Sequence, residues 1–113
     1  MKNLQLSLKK KWFVLTKLGI KTEDYREINE YWVKRLMENV KMPDGSVSFI
    51  KGLEQFKKFE INTMTLGYPK SGDTERILKL EHKGIEIRTG EPDWGAEEGK
   101  LYFVIKHGEI LKN

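Results

Sequence analysis

Leucines alternate with polar residues over Leu4–Leu8, near the start of the chain. This period-two pattern predicts a strand with one buried face. Lysines then surround apolar positions over residues 9–18, of which Trp12 and Leu15, with Phe13 as a third candidate, can face inward from a helix. The pattern predicts a short amphipathic helix that ends at Gly19, because glycine adopts the left-handed conformation at little cost.

A second helix is predicted to begin after Asn29, a favourable N-cap residue. Four apolar residues follow at helical spacing: Val33, Leu36, Met37 and Val40. The turn-forming sequence Met-Pro-Asp-Gly at residues 42–45 is expected to end this helix. Residues 21–28 are predicted to form a polar strand, and residues 52–58 to form one or two helical turns.

The second half of the chain has the character of a sheet. Strands are predicted over residues 59–68, 76–82, 84–88, 101–105 and 109–111, with a bulge at Lys83–Gly84, a loop over residues 89–96 and a turn or bulge at His107–Gly108. The predicted fold class is α+β. A mostly antiparallel sheet would curl into a small β-barrel with two main helices packed against it, which leaves few strand edges open.

Length and composition narrow the class of protein. The chain has 113 residues, the length of one domain, and we expect residues 1–113 to form a single domain. The absence of cysteine excludes disulfides and thiolate sites. No apolar run is long enough to cross a bilayer, and the N-terminus has no apolar signal region. We therefore expect no membrane partner and a cytoplasmic location.

Charge is unevenly distributed along the chain. Residues 1–58 contain 13 Lys or Arg against 7 Asp or Glu, whereas residues 59–113 contain 8 against 10, for a net charge of +4. A basic first half suits an anionic partner such as nucleic acid. The alternative interpretation is an ordinary lysine-rich surface.

Three charged residues form the most informative cluster of the sequence. Asp24 and Arg26 are two residues apart and share one face of the predicted strand, and Lys21 enters from the preceding loop. The carboxylate can orient the arginine while the two cations bind a phosphate. A desolvated lysine beside an arginine can also act as a base or nucleophile. Ordinary ion pairs on a solvated strand are the alternative.

Further candidate binding residues surround the loop at residues 89–96. Trp94 either stacks on a base or closes the end of the barrel. Arg88 and Thr89 come directly before the loop's glycine, and Tyr68 is expected at the same rim. Three other aromatic residues are predicted to pack helices against the sheet instead: Trp12, Tyr31 and Trp32.

Several classes of enzyme are excluded by missing motifs. The sequence contains no phosphate-binding P-loop, no dinucleotide fingerprint and no nucleophile elbow. Nucleotide hydrolases, dinucleotide-dependent oxidoreductases and common serine hydrolases are therefore not expected. His82 and His107 lack the spacing of metal ligands, so we predict neither a metal site nor a cofactor.

The spacing of Gly19, Lys21, Asp24 and Arg26 resembles the Gly-x-Lys-x-x-Glu-x-Arg signature of ASCH domains, members of the PUA-like superfamily. Residues 6–13 are similar to the first strand and helix of that family. Its bacterial and phage-associated branch is similar at residues 83–85, 89–90, 92, 94–95 and 102–106. The resemblance spans residues 4–111. It implies a PUA-like barrel with a cleft beside it, lined by the motif residues.

For function, the resemblance implies first a nucleic-acid-binding module, most directly for RNA. Lys21 and Arg26 would contact phosphate or base edges, Asp24 would orient Arg26 or accept from a base, and Trp94 or Tyr68 would stack. An alternative is a small hydrolase of a modified nucleoside. One branch of the family removes the acetyl group of N4-acetylcytidine with a Lys and a Thr at the positions of Lys21 and Asp24.

Two further alternatives stay open at the level of the sequence. Ribonuclease activity has been proposed for some members of the family. Asp24 is neither the usual glutamate nor the threonine of the hydrolase branch, and the hydroxyls of Thr22 and Thr89 are candidate substitutes for that threonine. The last alternative is a protein-interaction module that binds through a sheet edge or through Lys9–Lys11.

Overall fold

The computed structural model describes residues 2–38, 40–41, 47–48, 56–70 and 72–111. Within these residues the main elements follow one another in this order: β1 (Asn3–Leu8), α1 (Lys10–Lys17), β2 (Glu23–Arg26), α2 (Glu30–Leu36), β3 (Val40–Lys41), β4 (Val47–Ser48), β5 (Ile61–Leu66), β6 (Ile77–Thr89) and β7 (Leu101–Ile110). Short 3-10 turns lie at Thr74–Arg76 and Pro92–Trp94.

Five strands form one curled sheet in the order β1-β5-β6-β7-β2. β1 runs parallel to β5, and every other neighbouring pair in this sheet is antiparallel. The sheet curls far enough for Arg26, on the edge strand β2, to donate from Nη2 to the carbonyl of Ser7 on the opposite edge strand at 2.9 Å. The prediction of an α+β fold with a curled, mostly antiparallel sheet and two main helices is confirmed.

The first two elements follow the sequence pattern closely. In β1 the three leucines are buried and the residues between them are exposed, as the alternation predicts. α1 ends at Lys17, and the chain then turns at Gly19 with φ of +77°, in the left-handed region that favours glycine. The buried face of α1 is formed by Phe13 and Thr16, whereas Trp12 is only half-buried.

The second helix begins as predicted but ends early. The side chain of Asn29 accepts a hydrogen bond from the N–H of Trp32 at 2.9 Å, which confirms the N-cap. The prediction that the helix includes Met37 and Val40 is wrong, because α2 stops at Leu36. The carbonyl of Leu36 accepts from the N–H of Lys57 at 2.8 Å, and Met37 forms an antiparallel bridge with Phe56. This long-range pairing replaces the next helical turn.

Three other sequence predictions concern the segment at residues 52–58, the last strand and the bulge in β6. Most of the helical segment predicted at residues 52–58 lies outside the described residues, and Phe56 forms the bridge just mentioned. At His107–Gly108 the alternative of a bulge is confirmed and that of a turn is not: β7 runs from Leu101 to Ile110, and its register with β6 shifts between the Leu80–Ile110 and His82–His107 pairs. The predicted bulge at Lys83–Gly84 is confirmed: the β6–β7 register shifts there, and Gly84 has φ of +112°.

The core lies between the concave face of the sheet and the two helices. Its buried members come from β1, α1, α2, β5, β6 and β7: Leu4, Leu6, Leu8, Phe13, Leu36, Met64, Leu78, Leu80, Phe103 and Ile105. The opposite face of β7 is also covered, since Tyr102, Val104 and Ala96 form a second small cluster with Tyr25. Both faces of β7 are therefore buried, and the loop after β6 is held against the sheet. No helix among the described residues combines the length and apolar content needed to span a bilayer.

Candidate functional site

The segment between α1 and β2 carries Lys21 into the interior. The N–H groups of Ile20 and Lys21 both donate to the carbonyl of Leu15, at 3.0 and 3.1 Å. This pair of hydrogen bonds folds the chain back against the end of the helix. The side chain of Lys21 consequently turns inward, and the residue is only 2% exposed.

The carboxylate of Asp24 joins two cations. Its Oδ1 accepts from Lys21 Nζ at 3.2 Å, and its Oδ2 accepts from Arg26 Nε at 2.7 Å. Lys21 Nζ also donates to the backbone carbonyl of Glu23 at 2.5 Å. Asp24 is 5% exposed, so the Lys21–Asp24 pair is removed from water. We name this group of three side chains the Lys21–Asp24–Arg26 cluster.

Burial and charge act in opposite directions on the two buried members of the cluster. Burial lowers the pKa of Lys21, and the attraction of Asp24 restores only part of the loss. Burial alone would raise the pKa of Asp24, but Arg26 and Lys21 outweigh it and hold that pKa below its ordinary value. Asp24 therefore remains a carboxylate, and Lys21 gives up its proton more readily than an exposed lysine does.

The cluster forms the floor of a cleft of about 360 Å³. Aromatic side chains dominate its walls: Trp12 from α1, Tyr25 from β2, Tyr102 from β7 and Trp94 from the loop between β6 and β7. Lys9, Glu27 and Glu97 lie at its edges. The cleft thus combines apolar ring faces with hydrogen-bonding groups of both charges, as sites for small organic groups commonly do.

The loop that carries Trp94 is fixed by two tyrosines. The hydroxyl of Tyr25 accepts from the N–H of Glu91 at 2.8 Å, and the hydroxyl of Tyr102 accepts from the N–H of Glu97 at 2.9 Å. Burial raises the pKa of Tyr25 to about 12, so it stays protonated at neutral pH. The loop is consequently a preformed wall of the cleft.

Glycine is required at two places where this wall meets the rest of the protein. A Cβ on Gly95 would lie 2.9 Å from the Trp12 ring, and Gly95 itself has φ of +99°. A Cβ on Gly90 would lie 2.6 Å from the Tyr25 ring. At both positions the loop backbone lies directly against an aromatic ring. This contact keeps Trp94 half-buried, although its two neighbours in the loop are exposed.

The structure brings together some of the candidate residues and separates others. Lys21, Asp24, Arg26 and Trp94 line the cleft. Arg88 lies outside it and forms ion pairs with Glu23 and Glu86. The cleft lining also omits Thr22, Thr89 and Tyr68, of which Thr22 and Thr89 are exposed and Tyr68 is 96% exposed beside an adjacent groove.

Three wall residues were not singled out by the sequence as site residues. Trp12 was predicted to pack a helix against the sheet, yet it also lines the cleft. Tyr25 lies inside the motif segment, and Tyr102 lies next to Phe103 in the last strand. The alternation along β7 was the available signal, because it places Tyr102 on the face opposite Phe103 and toward the loop.

A second buried polar network lies on the same side of the sheet as the cluster. Asn62 is fully buried on β5, and its amide bridges two histidines: Oδ1 accepts from His82 Nδ1 at 2.7 Å, and Nδ2 donates to His107 Nδ1 at 2.7 Å. Nδ1 of His107 is therefore an acceptor, which places its proton on Nε2. Among the buried side-chain atoms of the described residues, His107 Nε2 has no hydrogen-bond partner.

Burial lowers the pKa of His107 to about 4, although Asp24 partly opposes this effect. A proton added at Nδ1 would also break the hydrogen bond from Asn62, because two donors would then face each other. His107 is accordingly neutral in the folded protein at pH 7. Within the described residues, no group of three His, Asp or Glu side chains is arranged to hold a metal ion.

No family model, no curated protein and no solved structure matches the chain.

Replacing Asp24 tests the role of the carboxylate. Asp24→Asn keeps the shape but leaves Lys21 and Arg26 without their counter-charge. We expect the free energy of unfolding in urea to fall by about 3–5 kcal/mol, the usual cost of breaking a buried ion pair from one side. Asp93→Asn is the matched control at an exposed site and should change it by less than about 0.5 kcal/mol. Equal, small effects of both variants would contradict the buried pairing.

The neutral state of His107 predicts a pH dependence of stability. Its pKa is about 4 when folded and 6.5 ordinarily, so below pH 6.5 the unfolded chain binds a proton that the folded protein does not. Stability should therefore decrease as the pH falls from about 6.5 to about 4, by on the order of 3 kcal/mol from this residue.

The measurement is urea unfolding of the wild type and of His107→Gln across that pH range. The carboxylates titrate alike in these two proteins, so the difference between their stability curves reports on His107. The variant should show a shallower loss of stability on acidification. Parallel curves for the two proteins would mean that His107 is protonated in the folded state.

Proposed function

We propose that this protein is an RNA-binding module of the ASCH type, with a PUA-like fold, and that its cleft binds one unpaired nucleobase. The observation that carries the proposal is the buried Lys21–Asp24–Arg26 cluster on the floor of an aromatic cleft. A volume of about 360 Å³ suits a single base with its sugar and excludes a double helix. The charged groups of the motif converge there, as the resemblance to ASCH domains implies.

Trp94 on the wall of the cleft and the three charged residues on its floor each have a role in binding the base. The half-buried ring of Trp94 offers a face for stacking on the base, a contact that tolerates any base. Arg26 has guanidinium N–H groups beyond those used for Asp24 and Ser7, and it can donate them to a base carbonyl or a phosphate. Asp24 can accept from an exocyclic amino group, and Lys21 keeps that carboxylate charged.

The mixture of charges favours a base over a bare phosphate. The charges of Lys21 and Asp24 offset each other within the cluster, and Glu27 and Glu97 stand at the cleft edge beside Lys9. A free phosphate would meet these carboxylates without a matching excess of cations. A nucleobase presents donors and acceptors together, which the cleft can satisfy.

Titrating the protein with single-stranded RNA, structured RNA and free nucleosides, at several salt concentrations, tests the proposal. We expect saturable binding of single-stranded RNA or loops, with Lys21→Ala at least about tenfold weaker because removing one charge of a buried pair disturbs the whole floor. Lys79→Ala is the matched control, since Lys79 is exposed and lines neither the cleft nor the adjacent groove. Its affinity should match the wild type.

A second variant guards against a folding defect in Lys21→Ala. Trp94→Ala should weaken RNA binding by about 5- to 150-fold, the equivalent of one lost base stack, while Trp94→Phe should keep most of the affinity. Unchanged affinity in Lys21→Ala and Trp94→Ala alike would remove the cleft from RNA binding. It would point instead to a protein-interaction module, the last alternative left open by the sequence.

A small nucleoside hydrolase is the second candidate function, and the lowered pKa of the buried Lys21 amine favours it. In this reaction water adds to the acyl carbonyl of an N-acylated base, and the bond from carbon to nitrogen then breaks. Neutral Lys21 would take the proton from water and pass it to the departing nitrogen, which leaves a carboxylic acid and the free amine. Neither Thr22 nor Thr89 lines the cleft, so water is the nucleophile in this proposal.

Incubation with N4-acetylcytidine distinguishes the two functions. Formation of cytidine and acetate, abolished in Lys21→Ala but retained in Lys79→Ala, would establish the hydrolase. Binding of RNA without turnover of the nucleoside would leave the binding module as the function. Liquid chromatography of the nucleosides provides the readout.

A further inference from the structure

A second groove lies on the other side of Arg26 from the cleft. Its volume is about 560 Å³, and Arg26 and Ser7 line both depressions. The remaining walls come from α2 and from the end of β5 with the residues that follow it. Cationic and aromatic side chains dominate the groove: Arg26, Arg35, Tyr31, Trp32 and Tyr68. Of the residues that the structure describes, no carboxylate lines this groove.

The two arginines are rigidly placed. Their guanidinium carbons lie 5.0 Å (Arg26) and 4.9 Å (Arg35) from the centre of the Trp32 ring. Each donates one N–H to the free edge of β1, Arg26 to Ser7 O at 2.9 Å and Arg35 to Gln5 O at 3.0 Å. Among the described residues no carboxylate forms an ion pair with Arg35. Its charge is therefore not offset within the groove.

Tyr68 is the most exposed large aromatic residue of the described chain, at 96%. The turn that presents it is well fixed: the carbonyl of Gly67 accepts from the hydroxyls of Thr65 at 2.9 Å and Ser7 at 3.3 Å. Pro69 follows directly and restricts the backbone of Tyr68 to an extended conformation. A ring held in water beside two arginines has the chemistry of a base-stacking platform on a single-stranded nucleic acid.

We propose that this groove binds the nucleotide that neighbours the one in the cleft. Arg35, together with Arg26, contacts the phosphate between or beside the two nucleotides, and Tyr68 stacks on the second base. The protein then recognises a short single-stranded segment, with Arg26 at the crossing between the two depressions. This inference rests on the proposed function, because the first nucleotide is the one in the cleft.

Tyr68 is the residue on which to test the inference, since its exposed ring leaves the core intact when removed. The probes are fluorescently labelled single-stranded hexaadenylate, hexacytidylate and hexauridylate, with their deoxy counterparts, and the four free ribonucleoside monophosphates. We expect Tyr68→Ala to weaken the best-bound hexanucleotide by about 5- to 150-fold and to leave the best-bound monophosphate unchanged. Tyr68→Phe should restore the hexanucleotide affinity, because the ring face is retained.

The arginine contact has its own readout. Arg35→Gln should reduce the slope of log affinity against log salt by about 0.7, the value for one phosphate contact on a single strand. Arg76→Gln is the matched control, because Arg76 is exposed and lines neither depression. Urea unfolding of each variant checks that the fold is retained, and Tyr68→Ala remains the decisive variant if Arg35→Gln is unstable.

The outcomes separate this inference from the proposed function. If hexanucleotides bind and Lys21→Ala weakens them while Tyr68→Ala does not, the second groove is overturned and the cleft stands. Equal weakening of monophosphate and hexanucleotide by Tyr68→Ala also overturns it, since one nucleotide would then contact both depressions. If the wild type binds neither probe, the proposed function and this inference fail together.

Discussion

The buried carboxylate of Asp24 is the constraint on which both the site and the link between the two edge strands of the curled sheet depend. One oxygen holds Lys21 on the cleft floor, and the other orients Arg26. Arg26 then reaches across to the carbonyl of Ser7 on the opposite edge strand. A charge placed in the interior costs free energy unless it is paired and hydrogen-bonded, so the three side chains stay together in one arrangement.

Side chains from β2 and α2 bridge to the free edge of β1. Arg26 and Arg35 donate to carbonyls on the free edge of β1, and Trp32 packs against both guanidinium groups. Backbone pairing between β1 and β2 would have brought the strands together and filled the space between them. Because side chains bridge the gap instead, a depression remains on each side of Arg26. The same arginine therefore completes the fold and separates the two proposed nucleotide sites.

Several side chains around the cleft and the adjacent groove occupy positions that lower the stability of the fold and suit ligand binding. A lysine is held almost completely out of water, and a tyrosine is held almost completely in it. Trp94 is kept half-buried by a loop that needs glycine at Gly90 and Gly95. Strained or costly groups of this kind tend to gather where a protein binds a ligand. By contrast, the leucines of β1 and the aromatic residues of the core follow ordinary rules of burial.

The sequence by itself determined the elements whose signals are local. The alternation of β1, the Asn29 cap, the turn at Gly19 and the bulge at Gly84 depend on neighbouring residues, and the motif spacing was enough to single out Lys21, Asp24 and Arg26. Tertiary structure decided the end of α2, because Phe56 pairs with Met37 and the N–H of Lys57 donates to the carbonyl of Leu36. It also decided that Trp12 lines the cleft, that Arg88 pairs with Glu23, and that Tyr68 belongs to a separate groove. These placements depend on contacts between strands and loops that are far apart in the sequence, and the pattern of a short segment does not reveal such contacts.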